Sequence, residues 1–262
     1  MEFAIAGAAV FAATGGKAFV PGQPTVVFVH GAGMDHTVWT LQTRWFAHHG
    51  RNVLAVDLPG HGRSGGEALE SIAAMADFIP RLLDAAGAAD AALVGHSMGA
   101  LVALEAASRH ASRVRALGLL GIAATMPVHP KLLEAAAAND PAAAAMIVDW
   151  GFGGRAQIGG ATAPGAWMTG SGLRLLSRSR PGVLSADLAA CNAYQGAAAA
   201  AAALVCPTLY LLGSGDRMTP AKAAQSLISA TKNATATVLA ETGHMAMVER
   251  PDAVLDALAK FA

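Results

Sequence analysis

Three residues whose side chains can act together on a carbonyl group lie in separate parts of the chain. Ser97 stands between two glycines in GHSMG, Asp216 lies in GSGDRMTP, and His244 lies in ETGHM. A serine hydroxyl is a weak nucleophile that needs a base to take its proton, and a histidine base needs a carboxylate to orient it. The residue types therefore predict nucleophilic catalysis by Ser97, with His244 as the base and Asp216 as the acid that orients it.

The segments around these residues predict elements that bring the three side chains together. The apolar segment AALVGHS predicts a strand ending at Ser97, and MGALVALEAASRH predicts a helix that begins directly after it. Strands are also predicted in PTLYLLGSGD and ATVLAETGH, just before Asp216 and His244. Because the carboxyl ends of parallel strands meet at one edge of an open α/β sheet, we expect the three side chains to converge there.

The rest of the chain follows the same alternation of strand and helix. TVVFVHG, NVLAVDLPG and VRALGLLGI predict further buried strands, and TVWTLQTRWFAHHG predicts a helix. The helical spacing of LESIAAMADFIPRLLDAAG is interrupted at Pro80. Near-continuous apolar strands separated by helices are typical of a mostly parallel sheet covered by helices on both faces, so the predicted fold class is α/β.

Two parts of the chain depart from this alternation. The apolar N-terminal residues alternate around Gly7 and predict a two-stranded hairpin rather than a signal peptide, since Glu2 stands where a basic residue belongs. Residues 123–203 contain no convincing strand and predict helices joined by irregular loops. We therefore expect a core of residues 1–122 and 204–262, with residues 123–203 inserted as a helical cap.

Composition narrows the classes of partner. The chain of 262 residues has 18 Lys and Arg against 18 Asp and Glu, a formal net charge of +0, and therefore no electrostatic footprint for nucleic acid or an anionic membrane. Its two cysteines show no metal or redox spacing, so we expect free thiols, and its histidines show no ligand spacing, so we expect no metal. Without a long apolar span, the sequence predicts a soluble, cytoplasmic protein with no membrane insertion and a small-molecule substrate.

Several motifs together resemble the α/β-hydrolase fold family, in its serine-nucleophile branch with a helical cap. They are HGAG, DLPGHGRS, GHSMG, GSGDRMTP and GHMAMVERP, and with the segments between them they span the chain from Thr25 to its C-terminus. The resemblance implies that Ser97 is the nucleophile, His244 the general base and then general acid, and Asp216 the orienting carboxylate. It also places the oxyanion hole, the pair of donors for the developing negative charge, at the backbone N–H groups of Ala32 and Met98.

The resemblance implies hydrolysis of small to medium, largely apolar carboxylic esters or lactones through an acyl-enzyme, with no cofactor. Residues near the motifs or in the expected cap are candidates for substrate contact: Met34, Trp150, Trp167 and Met245. His30 and His96 are expected to be structural. The sequence leaves the oligomeric state open.

Other functions remain open at this stage. Carbon–carbon bond hydrolysis and cofactor-free perhydrolysis use the same three residues, and a receptor on the same fold would bind a ligand without sustained turnover. Haloalkane dehalogenation and epoxide hydrolysis are disfavoured, because those branches of the family carry an aspartate where Ser97 stands. Asp57, which also follows a predicted strand, is an alternative to Asp216 as the acid.

Overall fold

Eight strands form the central layer of the protein, for which the computed structural model describes residues 1–162 and 165–261. In chain order they are β1 (Glu2–Ile5), β2 (Ala8–Ala13), β3 (Thr25–Val29), β4 (Asn52–Val56), β5 (Ala91–His96), β6 (Val114–Leu120), β7 (Thr208–Gly213) and β8 (Ala234–Leu239).

The order of the strands across the sheet is β1-β2-β4-β3-β5-β6-β7-β8. All neighbouring pairs from β4 to β8 are parallel, whereas β1 pairs with β2, and β2 with β4, in antiparallel fashion. The predicted mostly parallel α/β sheet is therefore confirmed. The hairpin predicted around Gly7 is formed by β1 and β2, which reverse direction at Ala6 and Gly7, both with positive φ.

The described residues also form twelve α-helices, and none of these helices is both long enough and apolar enough to span a bilayer. They are α1 (Thr40–His48), α2 (Ile72–Ala86), α3 (Met98–Arg109), α4 (Pro130–Ala137), α5 (Ala142–Gly151), α6 (Gly154–Gln157), α7 (Met168–Leu176), α8 (Val183–Ala193), α9 (Ala197–Ala203), α10 (Gln225–Ala230), α11 (Ala246–Glu249) and α12 (Pro251–Ala259).

Apolar side chains of the strands alternate between two cores, one on each face of the sheet. In β3, Val27 and Val29 pack in the core that contains residues of α2 and α3, while Val26 and Phe28 pack in the core that contains residues of α1 and α12. This is the period of two expected of a strand. Because both faces of β3 are covered, all of its residues are buried, which explains its continuous apolar sequence.

Helix α2 continues through Pro80, where the sequence predicts an interruption. Ser71 caps the N-terminus of the helix, since its side chain accepts a hydrogen bond from the N–H of Ala74, and Gly87 caps the C-terminus in the left-handed conformation. A proline inside a helix removes one backbone hydrogen bond, here the one to the carbonyl of Ala76. The apolar face of α2 is buried against the sheet and α3, and this packing outweighs the lost bond.

Helices α4 to α9 lie between β6 and β7, in residues 121–207, which we call the β6–β7 segment. Its described residues contain no strand, as expected. The predicted cap of residues 123–203 falls within it, although residues 163 and 164 lie outside the described residues. Helix α9 packs against α3 and α10 beside the sheet. The division into a core and a cap domain stays a prediction.

Candidate active site

Ser97 lies in a sharp turn between β5 and α3. Its backbone has φ 55° and ψ −118°, a conformation that residues other than glycine rarely adopt. The N–H of Ser97 donates to the carbonyl of Leu120 at 2.9 Å, which ties the turn to the end of β6. The strained turn places a serine at the carboxyl edge of the sheet, directly before the first turn of a helix.

The glycines on either side of Ser97 are required by close backbone contacts. A Cβ atom on Gly95 would overlap the carbonyl of Gly99, and a Cβ atom on Gly99 would overlap the carbonyl of Val29 in β3. These neighbours are main-chain atoms of the sheet and helix, which cannot move aside independently. The spacing of glycine, serine and glycine therefore reflects the contact between α3 and the strands below it.

Asp216 and His244 are in direct contact at the ends of neighbouring strands. Oδ2 of Asp216 lies 2.8 Å from Nδ1 of His244, and both side chains are buried. The N–H groups of Met218 and Thr219 each donate to Oδ1 of Asp216 at 2.8 Å, and the hydroxyl of Thr219 donates to Oδ2 at 2.7 Å. Sequence reasoning missed Thr219, although an aspartate followed three residues later by a threonine is a turn pattern.

The surroundings of Asp216 favour its ionised form. Burial alone raises the pKa of this carboxyl, but the neighbouring His244 and the hydrogen bonds from His244 and Thr219 act in the opposite direction. The net result is a pKa below the usual value for aspartate. An ionised Asp216 can only accept hydrogen bonds, so it requires a proton on Nδ1 of His244 and leaves Nε2 free to act as a base.

The other ring nitrogen of His244 is directed away from Asp216. Nε2 is buried and has no hydrogen-bond partner among the described residues. The backbone of His244 is held by its N–H, which donates to the carbonyl of Gly151 at 2.7 Å. A Cβ atom on Gly121, at the end of β6, would lie 2.9 Å from Nδ1 and Cε1 of the ring, so glycine leaves room for the imidazole.

Ser97 and His244 line one cavity of about 350 Å³. Ala32, Met34 and Trp150, three residues selected from the sequence, line the same cavity. A serine and a histidine that line one cavity are residue types that can carry out nucleophilic attack on a bound carbonyl group.

Met98 and Ala32 contribute backbone N–H groups beside Ser97. Met98 is the first residue of α3, where the N–H groups of a helix lack partners within the helix. Ala32 lies in the turn after β3, which we call the oxyanion loop (residues 30–34). Neither N–H donates a hydrogen bond to another described residue. Ala32 lines the cavity with Ser97, whereas Met98 directly follows Ser97 and is fully buried, so the oxyanion role of these two N–H groups stays a prediction.

His30 connects the oxyanion loop to the loop after β4. The N–H of Leu58 donates to Nε2 of His30 at 3.2 Å, and Nδ1 lies 2.9 Å from the carbonyl of Gly31. Since Nε2 accepts the hydrogen bond from Leu58, Nδ1 carries the ring hydrogen and donates to the carbonyl of Gly31. Burial, reinforced by the neighbouring His61, lowers the pKa of His30 to about 4, so the ring stays neutral at neutral pH.

His96 fills the space between the oxyanion loop and His244. Its Nε2 lies 3.0 Å from the carbonyl of His244, and the two rings are 4.7 Å apart. A Cβ atom on Gly31 would lie 2.9 Å from Nδ1 of His96. Burial, reinforced by the neighbouring His244, lowers the pKa of His96 to about 3. Both contacts are consistent with the structural role expected for His96.

Two of the residues proposed for substrate contact lie elsewhere. Trp167 is 73% exposed and lines a second cavity formed within the β6–β7 segment. Met245 is buried in the core that also contains residues of α1 and α12, and a Cβ atom on Gly151 would lie 3.9 Å from its Cγ. The sequence shows that these residues are apolar and adjacent to motifs, but it does not show which way their side chains point.

Much of the cavity wall comes from residues that sequence reasoning did not select. Most belong to the β6–β7 segment, namely Met126, Val128, Leu132, Ile147 and Leu188. Cys191 also lines the cavity, and burial raises the pKa of its thiol, which favours the protonated, unreactive form. The spacing of these lining residues resembles that of residues in an ordinary helix core, so no local sequence signal distinguishes cavity residues from core residues.

Asp57, the alternative acid, has other partners. Its Oδ1 lies 2.7 Å from the N–H and 2.8 Å from Nδ1 of His36, and its Oδ2 accepts from the N–H of Arg63 at 2.9 Å. Asp35, His36 and Asp57 form a group whose potential metal-ligand atoms lie within 4.8 Å of one another, but those of His36 and Asp57 already bond to each other. The absence of a metal therefore stays a prediction.

Two further buried carboxylates connect the β6–β7 segment to the loops of the site. Oε2 of Glu249 accepts from the N–H groups of Gly243 at 3.0 Å and Gly153 at 3.1 Å, and burial raises the pKa of this carboxyl. Oδ2 of Asp187, on α8, accepts from the N–H of Gly33 at 2.7 Å. Sequence reasoning assigned neither residue to the site, because Gly33 lies 154 residues from Asp187 and Gly153 lies 96 residues from Glu249.

Comparison with known proteins identifies the family. A family model described as the alpha/beta hydrolase family matches residues 26–257. The chain belongs to the alpha/beta hydrolase family. Curated relatives of this hydrolase chain match only part of it. They include an acetyltransferase component of an acetoin cleaving system from Cupriavidus necator, 40% identical over 100 residues, which cover 38% of this chain and 26% of that protein.

A pimeloyl-[acyl-carrier protein] methyl ester esterase from Klebsiella pneumoniae is 42% identical over 96 residues, which cover 37% of this hydrolase chain and 35% of the esterase. The matches thus span about a quarter to a third of these two relatives. Among solved structures, the enol-lactonase from Burkholderia xenovorans superposes with a TM-score of 0.87 at 21% identity, covering 99% of this chain and 98% of that one. That likeness supports the shared fold.

Proposed function

We propose that this chain hydrolyses carboxylic esters or lactones through an acyl-enzyme on Ser97. The observation that carries the proposal is the contact between Asp216 and His244, which leaves Nε2 without a partner on a residue that lines the same cavity as Ser97. The esterase and enol-lactonase names among the similar proteins agree with this chemistry. The reaction uses protein groups and water only.

In the first half of the reaction, Nε2 of His244 takes the proton of the Ser97 hydroxyl while the oxygen attacks the substrate carbonyl carbon. The carbonyl π electrons move to oxygen, and the N–H groups of Ala32 and Met98 stabilise the resulting oxyanion. When the carbonyl re-forms, the bond to the alcohol oxygen breaks. His244 returns its proton to that oxygen, which leaves as an alcohol, and the acyl group remains on Ser97.

In the second half, a water molecule replaces the alcohol. His244 takes a proton from the water as its oxygen attacks the acyl carbon, and the same two N–H groups stabilise the second oxyanion. The bond to Ser97 then breaks, and the serine oxygen recovers a proton from His244. The carboxylic acid leaves, and the enzyme returns to its starting state.

The cavity wall favours an uncharged acyl group. Apolar side chains of the β6–β7 segment, including Ile147, Trp150 and Leu188, line the cavity together with Ser97 and His244. Arg217 also contributes, but its guanidinium lies 3.9 Å from the carboxylate of Asp149, and both side chains are well exposed. We further propose that the β6–β7 segment acts as a cap that selects the substrate by apolar contact.

The test is steady-state hydrolysis of para-nitrophenyl esters of increasing acyl length, together with simple lactones followed by acid release. The wild type is compared with Ser97→Ala and with Ser177→Ala, an exposed serine of the β6–β7 segment. We expect sustained turnover by the wild type and Ser177→Ala, and none above background by Ser97→Ala.

Circular dichroism and thermal unfolding establish that each variant is folded. Turnover retained by a folded Ser97→Ala would place the chemistry elsewhere. A folded wild type that binds esters, as detected by a shift in its melting temperature, but never releases product would instead support a receptor.

A further inference from the structure

Asp187 links the β6–β7 segment to the loop that carries a proposed oxyanion donor. The side chain is fully buried on α8, and Oδ2 accepts from the N–H of Gly33 at 2.7 Å. Gly33 directly follows Ala32 and has a positive φ of 66°. A Cβ atom on Gly33 would lie 2.8 Å from Leu184, so one face of α8 lies directly on this turn.

The same carboxylate oxygen forms a second contact with His61, in the loop after β4. Nε2 of His61 lies 2.8 Å from Oδ2 of Asp187, and Nδ1 lies 3.0 Å from the carbonyl of Pro59. The carbonyl of Pro59 can only accept a hydrogen bond, and Oδ2 of Asp187 already accepts from Gly33, so this geometry favours a ring that donates from both nitrogens. The arrangement therefore favours a buried ion pair between His61 and Asp187.

The environment supports that charge state. Burial lowers the pKa of His61, but the hydrogen bond and the charge of Asp187 and the carbonyl of Pro59 raise it to a net value above the usual one. The adjacent His30 stays neutral and lies 4.7 Å from His61, ring centre to ring centre. A charged carboxylate is a stronger acceptor for the Gly33 N–H than a neutral group.

We propose that Asp187, paired with His61, is a positioning residue that holds the oxyanion loop so that the N–H of Ala32 is directed into the cavity. The inference rests on the proposed oxyanion role of Ala32. Asp187 holds the N–H of Gly33, and with it the peptide group between Ala32 and Gly33. This limits the rotation of the adjoining peptide group, which carries the N–H of Ala32. The β6–β7 segment thereby contributes to transition-state binding as well as to substrate choice.

Two variants distinguish a positioning role of Asp187 from a purely structural one. The double variant Asp187→Leu with His61→Phe replaces the ion pair by apolar groups, an exchange that is often neutral or stabilising for buried pairs, and removes the acceptor for Gly33. Asp187→Asn keeps an oxygen that can accept from Gly33 but removes the charge. Arg180→Ala is the matched control, because Arg180 also joins the β6–β7 segment to the loop after β4, at Gly62 and Ser64, without touching the oxyanion loop.

Complete loss of an oxyanion donor lowers kcat by about 10²–10³-fold, so a displaced donor in the double variant is expected to lower kcat by about 10-fold or more at nearly unchanged KM. Asp187→Asn should restore most of kcat, and Arg180→Ala should leave kcat as in the wild type. Equal kcat for the folded double variant and the wild type, or a change in KM alone, would overturn the inference.

Amide hydrogen exchange decides the inference independently of turnover. The Gly33 N–H of the wild type should be protected, and the oxyanion loop should exchange faster in the double variant but not in Arg180→Ala. An unprotected Gly33 N–H in the wild type contradicts the inference even if the double variant fails to fold. Protected Gly33 in a protein that hydrolyses no ester would leave the positioning contact intact and reject the proposed function instead.

Discussion

Oδ2 of Asp216 faces Nδ1 of His244 at 2.8 Å, while Oδ1 of the same carboxylate accepts from two backbone N–H groups. In Asp216→Asn, those two donors require the amide oxygen at the Oδ1 position, so the amide nitrogen faces His244. Nδ1 must then accept, which moves the ring proton to Nε2 and blocks proton transfer from Ser97. We expect kcat to fall by about 10⁴-fold with the fold unchanged, as measured by ester hydrolysis and thermal unfolding.

Asp57→Asn is the matched control for that substitution. Asp57 also follows a strand, but its carboxylate bonds to His36 and to the N–H of Arg63. Its replacement should reduce stability and change kcat far less than Asp216→Asn. The opposite ranking of the two kcat values would transfer the role of orienting acid to Asp57.

Trp150 and Trp167 differ in position and should differ in effect. Trp150 lines the cavity with Ser97, whereas Trp167 is 73% exposed and lies outside this cavity. Trp150→Ala should lower kcat/KM for long acyl chains by about 10-fold or more, the effect expected from losing 1.4 kcal/mol or more of apolar contact. Trp167→Ala should leave the chain-length profile unchanged, and an equal effect of both substitutions on the profile would contradict the assigned cavity.

The side-chain directions of these two tryptophans could not be predicted from the sequence, whereas the strands could. Continuous apolar runs and flanking glycines predict β3 and β5 because burial on both faces of a parallel sheet requires such sequences. The carboxyl edge of the sheet then explains why Ser97 and His244 lie on one cavity. The direction of a side chain in the β6–β7 segment depends on tertiary packing, which neither Trp150 nor Trp167 signals locally.

Polar contacts between residues far apart in the chain are equally unpredictable from the sequence. Asp187 contacts Gly33, and Glu249 contacts Gly153, only when the β6–β7 segment is folded against the rest of the chain. Pro80 shows the converse, since a strong local signal for a break is outweighed by burial of the α2 face. Local patterns therefore predict the sheet and the residues at its edge better than the contacts between the segment and the sheet.

Substitution of Gly99 tests whether the turn at Ser97 depends on close contact between α3 and β3. A methyl group at this position would overlap the carbonyl of Val29, so Gly99→Ala is expected to lower the free energy of unfolding by about 1–3 kcal/mol. Gly154→Ala is the control, because it lies in α6 with no atom within 4 Å of the added methyl group. Chemical denaturation measures both. Equal stability of the two variants would show that α3 and β3 are not in contact as described.

Buried neutral histidines should make the protein less stable in acid. The pKa values of His30 and His96 fall from 6.5 to about 4 and about 3, chiefly through burial. Between pH 6.5 and these values, the unfolded chain binds protons that the folded protein does not, so the free energy of unfolding falls as the pH is lowered.

His96→Asn should flatten that dependence by as much as about 1.4 kcal/mol per pH unit, the contribution of one proton. Urea unfolding at a series of pH values measures the slope independently of any loss in overall stability. An unchanged slope would mean that His96 is not held neutral in the folded protein.

The central claim is that Ser97 carries the acyl group during turnover. The most direct measurement is rapid acid quenching of the enzyme with excess para-nitrophenyl ester, followed by intact mass determination and peptide mapping. We expect a protein whose mass increases by one acyl group in place of a proton, with the modification on Ser97 and absent from folded Ser97→Ala. Turnover with no covalent adduct, or an adduct formed on another residue as fast as turnover, would show that Ser97 does not carry the acyl group.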